Sequence, residues 1–80
     1  MITIKDLINK ILWDKKENKD NYILYYHDRL ADREIELPFK DIKNVEGNFL
    51  LVEKNGEEAE IPMHRVRFVK KKGMVIWRRP

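Results

Sequence analysis

Apolar positions change period along this chain, and the change divides it into elements. Ile4, Leu7, Ile8 and Ile11 recur at i, i+3, i+4 and i+7, a single stripe on a helix of period 3.6. Thr3-Ile-Lys-Asp6 just ahead is a variant capping box, with an acceptor for the first-turn N–H groups and an acid near the positive end of the dipole. The spacing predicts a helix over about residues 4–12. Trp13 closes it as a core anchor, and the polar run 14–21 follows as a loop.

Beyond residue 21 the period shortens to two. Tyr22-Ile-Leu-Tyr-Tyr-His-Asp-Arg29 is aromatic, β-branched and apolar on both parities at its start, which predicts a central strand. Arg33-Glu-Ile-Glu-Leu-Pro-Phe39 alternates cleanly and predicts a half-exposed strand ending near Pro38. Residues 39–45 are open between a turn and a short strand. Asn55-Gly56 is a type I′ hairpin signal. Pairing outward from it sets Leu50 opposite Ile61, Val52 opposite Ala59, and Glu53 against Glu58.

A second hairpin turns at Lys71-Lys72-Gly73, between strands at about 65–70 and 74–79. A two-residue Lys71-Lys72 turn would force positive φ on both lysines, so a three-residue loop with Gly73 left-handed is expected. That register pairs Phe68 with Ile76 toward the core, Arg67 with Trp77 on the outer face, and Arg65 with Arg79. A one-residue slip would bring Trp77 beside Val66 in the core. No internal repeat or linker is expected. The fold class is α+β, in one domain over residues 1–80. An N-terminal helix packs on a twisted antiparallel sheet of five or six strands that can curl toward a barrel.

Composition adds three constraints. There is no cysteine, which excludes disulfides and thiolate metal sites. The two histidines, His27 and His64, are far apart without ligand spacing, so no metal and no cofactor are expected. Serine and glutamine are absent, Thr3 is the single threonine, and 39% of residues are charged. That composition fits an organism growing hot. It also leaves few covalent nucleophiles, so an enzyme is the less favoured reading. No run is apolar for the ~20 residues of a membrane span, and the first residues lack the charged, apolar and small-residue order of a signal peptide, so a cytoplasmic location is expected.

Charge is distributed unevenly. Residues 61–80 hold seven Lys/Arg and no acid, for +7; residues 1–60 hold ten against fourteen, for −4. Basic residues interleaved with aromatic ones fit a surface that meets phosphate and stacks on bases. Arg65, Arg67, Trp77, Arg78 and Arg79 form the main cluster, although such charges also serve simply to protect an edge strand. The run Lys70-Lys71-Lys72 would add long-range attraction. Strand parity places His64 toward the core, unless Pro62 interrupts the strand and turns the ring toward a ligand. Asp28-Arg29 reads either as a structural turn or ion pair, or as a carboxylate orienting His64 or Arg65 beside a phosphate-facing arginine.

Four segments, in order, carry a likeness to a known family: Ile11-Leu-Trp-Asp14, Tyr26-His-Asp-Arg29, Ile61-Pro-Met-His-Arg-Val66 and Val75-Ile-Trp-Arg78. They resemble the small archaeal proteins grouped as the RNA cyclic-group end recognition domain, also found fused to two-histidine phosphoesterase-type modules in eukaryotes. Met63 stands where leucine is frequent, a small apolar change. The resemblance covers nearly the whole chain. It implies binding of RNA ends that carry a 2′,3′-cyclic phosphate, in RNA processing or repair, alone or beside a processing enzyme. It also implies Asp28, Arg29, His64, Arg65, Trp77 and Arg78 as site residues. Arg29 and Arg65 would clamp the phosphate, His64 would donate to it, and Trp77 would stack the terminal base, with Arg67 beside it. Two alternatives stay open. One is a metal-independent RNA phosphoesterase with His64 as general acid–base. The other is a protein-interaction module that pairs through its C-terminal strand; the oligomeric state is open.

Overall fold

The computed structural model describes residues 2–79. Helix α1 spans Ile4–Trp13, and its first turn is capped as the sequence predicts, the Asp6 N–H donating to Thr3 Oγ1 at 3.1 Å. Ile4, Ile8, Ile11 and Leu12 are buried. Trp13 is not the expected core anchor; it is 65% exposed. Nine residues beyond Ile4 at 3.6 per turn, it lies about 180° round the helix from the buried stripe.

Seven strands follow among the described residues: β1 Tyr22–Asp28, β2 Arg33–Pro38, β3 Ile42–Glu46, β4 Phe49–Lys54, β5 Glu57–Pro62, β6 Val66–Lys71 and β7 Met74–Arg78. They form two antiparallel sheets, ordered β2-β1-β6-β7 and β3-β4-β5. The class is α+β. The expectation of one sheet of five or six strands, curling toward a barrel, is corrected: there are two open sheets, and the ambiguous segment after Phe39 supplies the additional strand β3. Two prolines produce the division. Pro38 and Pro62 end β2 and β5 with φ of −62° and −60°, and each leads into a 3₁₀ turn, Phe39–Asp41 or Met63–Arg65. Each turn carries the chain from one sheet to the other. A proline cannot donate to a continuing ladder, so the sheet change falls there.

These crossings reveal an internal repeat that was not expected. Glu34-Ile-Glu-Leu-Pro-Phe-Lys-Asp-Ile-Lys-Asn-Val45 and Glu58-Ala-Glu-Ile-Pro-Met-His-Arg-Val-Arg-Phe-Val69 align at an offset of 24 residues. Both run strand, proline, 3₁₀ turn, strand. Phe39 and Met63 are buried at equivalent points, then Ile42 and Val66. Both copies then bulge at the next residue. Opposite β4 the register passes from Ile42–Val52 to Asn44–Leu51, and opposite β1 from Val66–Tyr26 to Phe68–Tyr25. Lys43 and Arg67 are the extra residues. Equivalent strands exchange partners, β3 pairing with β4 and β6 with β1, and one apolar cluster joins α1 to both sheets.

The Asn55-Gly56 hairpin has its expected register, and both residues have positive φ, 56° and 81°. Ala59 is exposed, while Leu50, Val52 and Ile61 are buried. The facing acids Glu53 and Glu58 are reconciled by the bulge residue of the first copy. Lys43 Nζ lies 3.0 Å from Glu53 and 2.9 Å from Glu58, and its hydrogen bonds to them push its pKa up to about 12.

The last hairpin differs from expectation. Gly73 is left-handed as expected, but the turn has two residues, Lys72-Gly73, with φ of 52° and 84°, in place of the expected three-residue loop, so Lys71 and not Lys70 pairs with Met74. Ile76 then bulges, and Val69 pairs with Trp77 and Phe68 with Arg78. Trp77 packs half-buried against the core, Phe68 faces outward, and Ile76 is 44% exposed. Arg79 takes the place opposite Arg67, whose carbonyl accepts its N–H at 2.9 Å.

Candidate functional site: a basic cleft at the second crossing

The second 3₁₀ turn does more than change sheets. Because Pro62 ends β5, residue 64 falls in the turn instead of a strand, and the His64 side chain is exposed. The expectation of a core-facing ring on strand parity does not hold. His64 lines a cleft of about 290 Å³ with Ile4, Asn48, Met63 and Arg79. The first residue of α1 thus forms one wall and the β3–β4 turn another, the Met63 N–H donating to the Asn48 carbonyl at 2.8 Å. No carboxylate among the described residues lines this cleft.

Arg79 is the organised cation of the site. Its Nε donates to the Val66 carbonyl at 2.8 Å and its Nη2 to the Met63 carbonyl at 2.9 Å. The guanidinium also lies 5.4 Å from the Trp77 ring centre. Two of its five N–H groups are therefore fixed on backbone, leaving the others available on a head group whose orientation is set. The half-buried Trp77 serves here as the plate that holds Arg79.

The other sequence-derived residues are placed elsewhere. Asp28 Oδ1 accepts from the N–H groups of Leu30 at 2.9 Å and Ala31 at 3.4 Å, organising the turn after β1. Arg29 is exposed in that turn. Neither lines the cleft. His27 Nε2 sits 3.5 Å from Asp32 across the same turn. Arg65 is half-buried at the end of the 3₁₀ turn. Arg67 and Arg78 are exposed. None of these arginines makes an ion pair among the described residues. No group of three His, Asp or Glu side chains there could hold a metal. No helix among those residues is long and apolar enough to cross a membrane.

Asn48 and the specific part of Arg79 were not singled out by sequence reasoning. The repeat holds the missing signal. Where the first copy has Lys40 and Asp41, the second has His64 and Arg65. The first copy's bulge cation is neutralised by two glutamates; the second copy's makes no ion pair among the described residues. The two copies share their buried positions and differ in their exposed chemistry, which marks the second as the specialised one.

Comparison with known proteins agrees with the likeness in the four sequence segments. Residues 1–79 match the family model described as the MJ1316 RNA cyclic group end recognition domain. The chain belongs to that family. Its archaeal relatives include a UPF0248 protein of Saccharolobus solfataricus, 39% identical over 79 residues and covering 95% of each chain. A UPF0248 protein of Saccharolobus islandicus is 38% identical, covering 95% of this chain and 98% of its own. One from Metallosphaera sedula is 36% identical over 78 residues, covering 98% of this chain and 94% of its own. No solved structure matches the chain.

Proposed function

We propose that this chain is an RNA-binding module that receives a 2′,3′-cyclic phosphate end in the cleft between His64 and Arg79. The observation that carries the proposal is the pinned guanidinium of Arg79. A cation oriented by two carbonyls and an aromatic ring loses little freedom on binding, and its remaining N–H groups can fork onto phosphate oxygens. His64 and the Asn48 side chain add hydrogen-bonding groups, while Ile4 and Met63 offer an apolar wall to the ribose.

The charge of the cleft argues for the cyclic form. A phosphate monoester carries roughly −1.5 to −2 at neutral pH, whereas a cyclic diester carries a single negative charge. One fixed arginine beside a histidine and an amide matches the monoanion. Arg65, Arg67 and Arg78 then serve the phosphates preceding the end, and Asp28 holds the turn that presents Arg29. His64 is the one acid–base group of this cleft among its described residues, which favours recognition over turnover. A role beside an RNA-processing enzyme is consistent with a module that binds an end without converting it.

The test is affinity for one short RNA bearing a 2′,3′-cyclic phosphate, a 3′-monophosphate or a 3′-hydroxyl. The cyclic form should bind roughly tenfold or more tightly than the hydroxyl form, the equivalent of one charge-assisted hydrogen bond. Equal binding of all three overturns the proposal. Turnover of the cyclic form in EDTA, lost in His64→Ala, would establish the phosphoesterase instead.

A further inference from the structure

The outer face of the four-stranded sheet carries an aromatic pair that the cleft does not use. Tyr25 of β1 and Phe68 of β6 are register partners on the two central strands. Their rings stack with centres 4.5 Å apart and planes 20° from parallel. The opposite face of this sheet buries Leu24, Leu37, Val66 and Val69 in the cluster that also holds Ile4, Ile8, Ile11 and Leu12 of α1, and both rings remain partly exposed. Lys70 Nζ lies 5.1 Å from the Tyr25 ring centre and 5.8 Å from that of Phe68. Arg78 is the partner of Phe68 on β7. Arg67 bulges beside it.

We propose that this face is a second RNA-binding surface, where an unpaired base of single-stranded RNA stacks on the free face of Phe68 and extends the Tyr25–Phe68 stack. The stack covers one face of each ring, the other face of Phe68 lies toward Arg78 on β7, and every base has a π-face to offer. Charge fixes the path of the strand. The β6–β7 side carries Arg67, Lys70 and Arg78, none in an ion pair among the described residues. On the strands flanking the pair the acids lie on β2, where Glu36 accepts from the Tyr25 hydroxyl at 3.2 Å, and Asp20 borders the end of the face near Lys70 and Lys72, away from Arg67 and Arg78. The phosphates therefore run along β6 and β7.

The internal repeat supplies a control for the bland alternative, an aromatic pair that merely staples two strands. The positions equivalent to Tyr25 and Phe68 in the other half are Leu51 and Asn44, paired in the same way. That half folds on the same plan without aromatic rings there, and its bulge cation Lys43 is neutralised by Glu53 and Glu58. The scaffold does not require the rings or the free cations. Phe68 lies four residues after His64, at most roughly 14 Å along the backbone. One RNA strand can thus place its end in the cleft and a preceding base on Phe68, a link that rests on the proposed function. The stacking surface itself does not rest on it.

The test uses the full chain and a single-stranded RNA with a 3′-hydroxyl, so that no end phosphate contributes. A 2-aminopurine in that RNA should be quenched by the wild type. Phe68→Leu, which keeps an apolar residue but removes the π-face, should lower affinity roughly 5- to 150-fold, the range of one base–aromatic stack. Phe68→Tyr should retain it. The cyclic-to-hydroxyl affinity ratio should survive Phe68→Leu. Loss of that ratio in the wild type alone would sink the end cleft and leave this surface standing. Unchanged binding by a folded Phe68→Leu overturns the stacking surface. Should that variant not fold, absence of 2-aminopurine quenching by the wild type overturns it equally.

Discussion

Removing the Arg79 head group should unsettle the fold as well as the cleft, and the size of the effect can be worked out. Arg79→Ala leaves the Val66 and Met63 carbonyls without the donors they have at 2.8 and 2.9 Å. Hydrogen bonds to a charged group contribute about 1.5–3 kcal/mol each. Arg79 is only half-buried, so water replaces part of that, and the contact with Trp77 adds about 0.5–1 kcal/mol. The net loss should be about 2–3 kcal/mol. For a chain of 80 residues, at roughly 4–8 °C per kcal/mol, Tm should fall by roughly 10–20 °C in calorimetry. Because the acceptors are neutral carbonyls, the loss should persist at high salt, unlike that of an exposed ion pair. Arg79→Lys keeps the charge but cannot reach both carbonyls as a fork; it should recover about half of the stability and little of the preference for a cyclic phosphate end. A change within ~0.5 kcal/mol, the scale of an ordinary surface substitution, would refute the pinned guanidinium. So would full recovery by lysine.

Two further outcomes follow from local geometry. Lys72 holds a left-handed conformation, φ 52°, that asparagine tolerates better, as Asn55 shows at φ 56°; Lys72→Asn should stabilise the chain by about 0.5–1 kcal/mol in urea unfolding, and a loss of stability would contradict the turn assignment. Tyr22 has its pKa raised above 10.0, first by burial and then by its hydrogen bond to Glu17. Its protonated form is favoured in the folded state, so its contribution is complete below pH 10 and lost as pH rises through the raised value. Stability measured from about pH 8 to 11.5 should therefore decline, and the decline should be shallower in Tyr22→Phe. An identical alkaline slope in that variant would show that Tyr22 does not couple to folding.

Where sequence and structure agree, local chemistry decides the outcome. The Thr3 cap, the Ile4–Ile11 stripe and the Asn55-Gly56 turn each depend on neighbours within a few residues. Where they part, the cause is long-range or cumulative. Trp13 follows the apolar stripe closely in sequence yet points to the far side of the helix. Phe68 and Trp77 exchange faces relative to expectation because the turn is Lys72-Gly73 and because Arg67 and Ile76 bulge; alternation along one strand does not reveal a bulge made with its neighbour. The interruption of the strand at Pro62 was legible as an alternative, and the 3₁₀ turn realises it by leaving the His64 ring exposed. Arg79 was legible only as one more positive charge, since its orientation depends on two carbonyls 13 and 16 residues away. The repeat was present in Glu-x-Glu-Leu/Ile-Pro from the start. Its meaning emerged with the two crossings, and it separates what the scaffold needs from what the second copy adds.

The most direct test of the central claim is a titration of one RNA in its 2′,3′-cyclic phosphate and 3′-hydroxyl forms against the wild type, His64→Ala and Arg79→Lys, at fixed salt. A preference of roughly tenfold or more for the cyclic end is expected in the wild type, with a ratio falling toward one in both variants. Equal affinity for the two ends in the wild type, or a preference untouched by both substitutions, would contradict it.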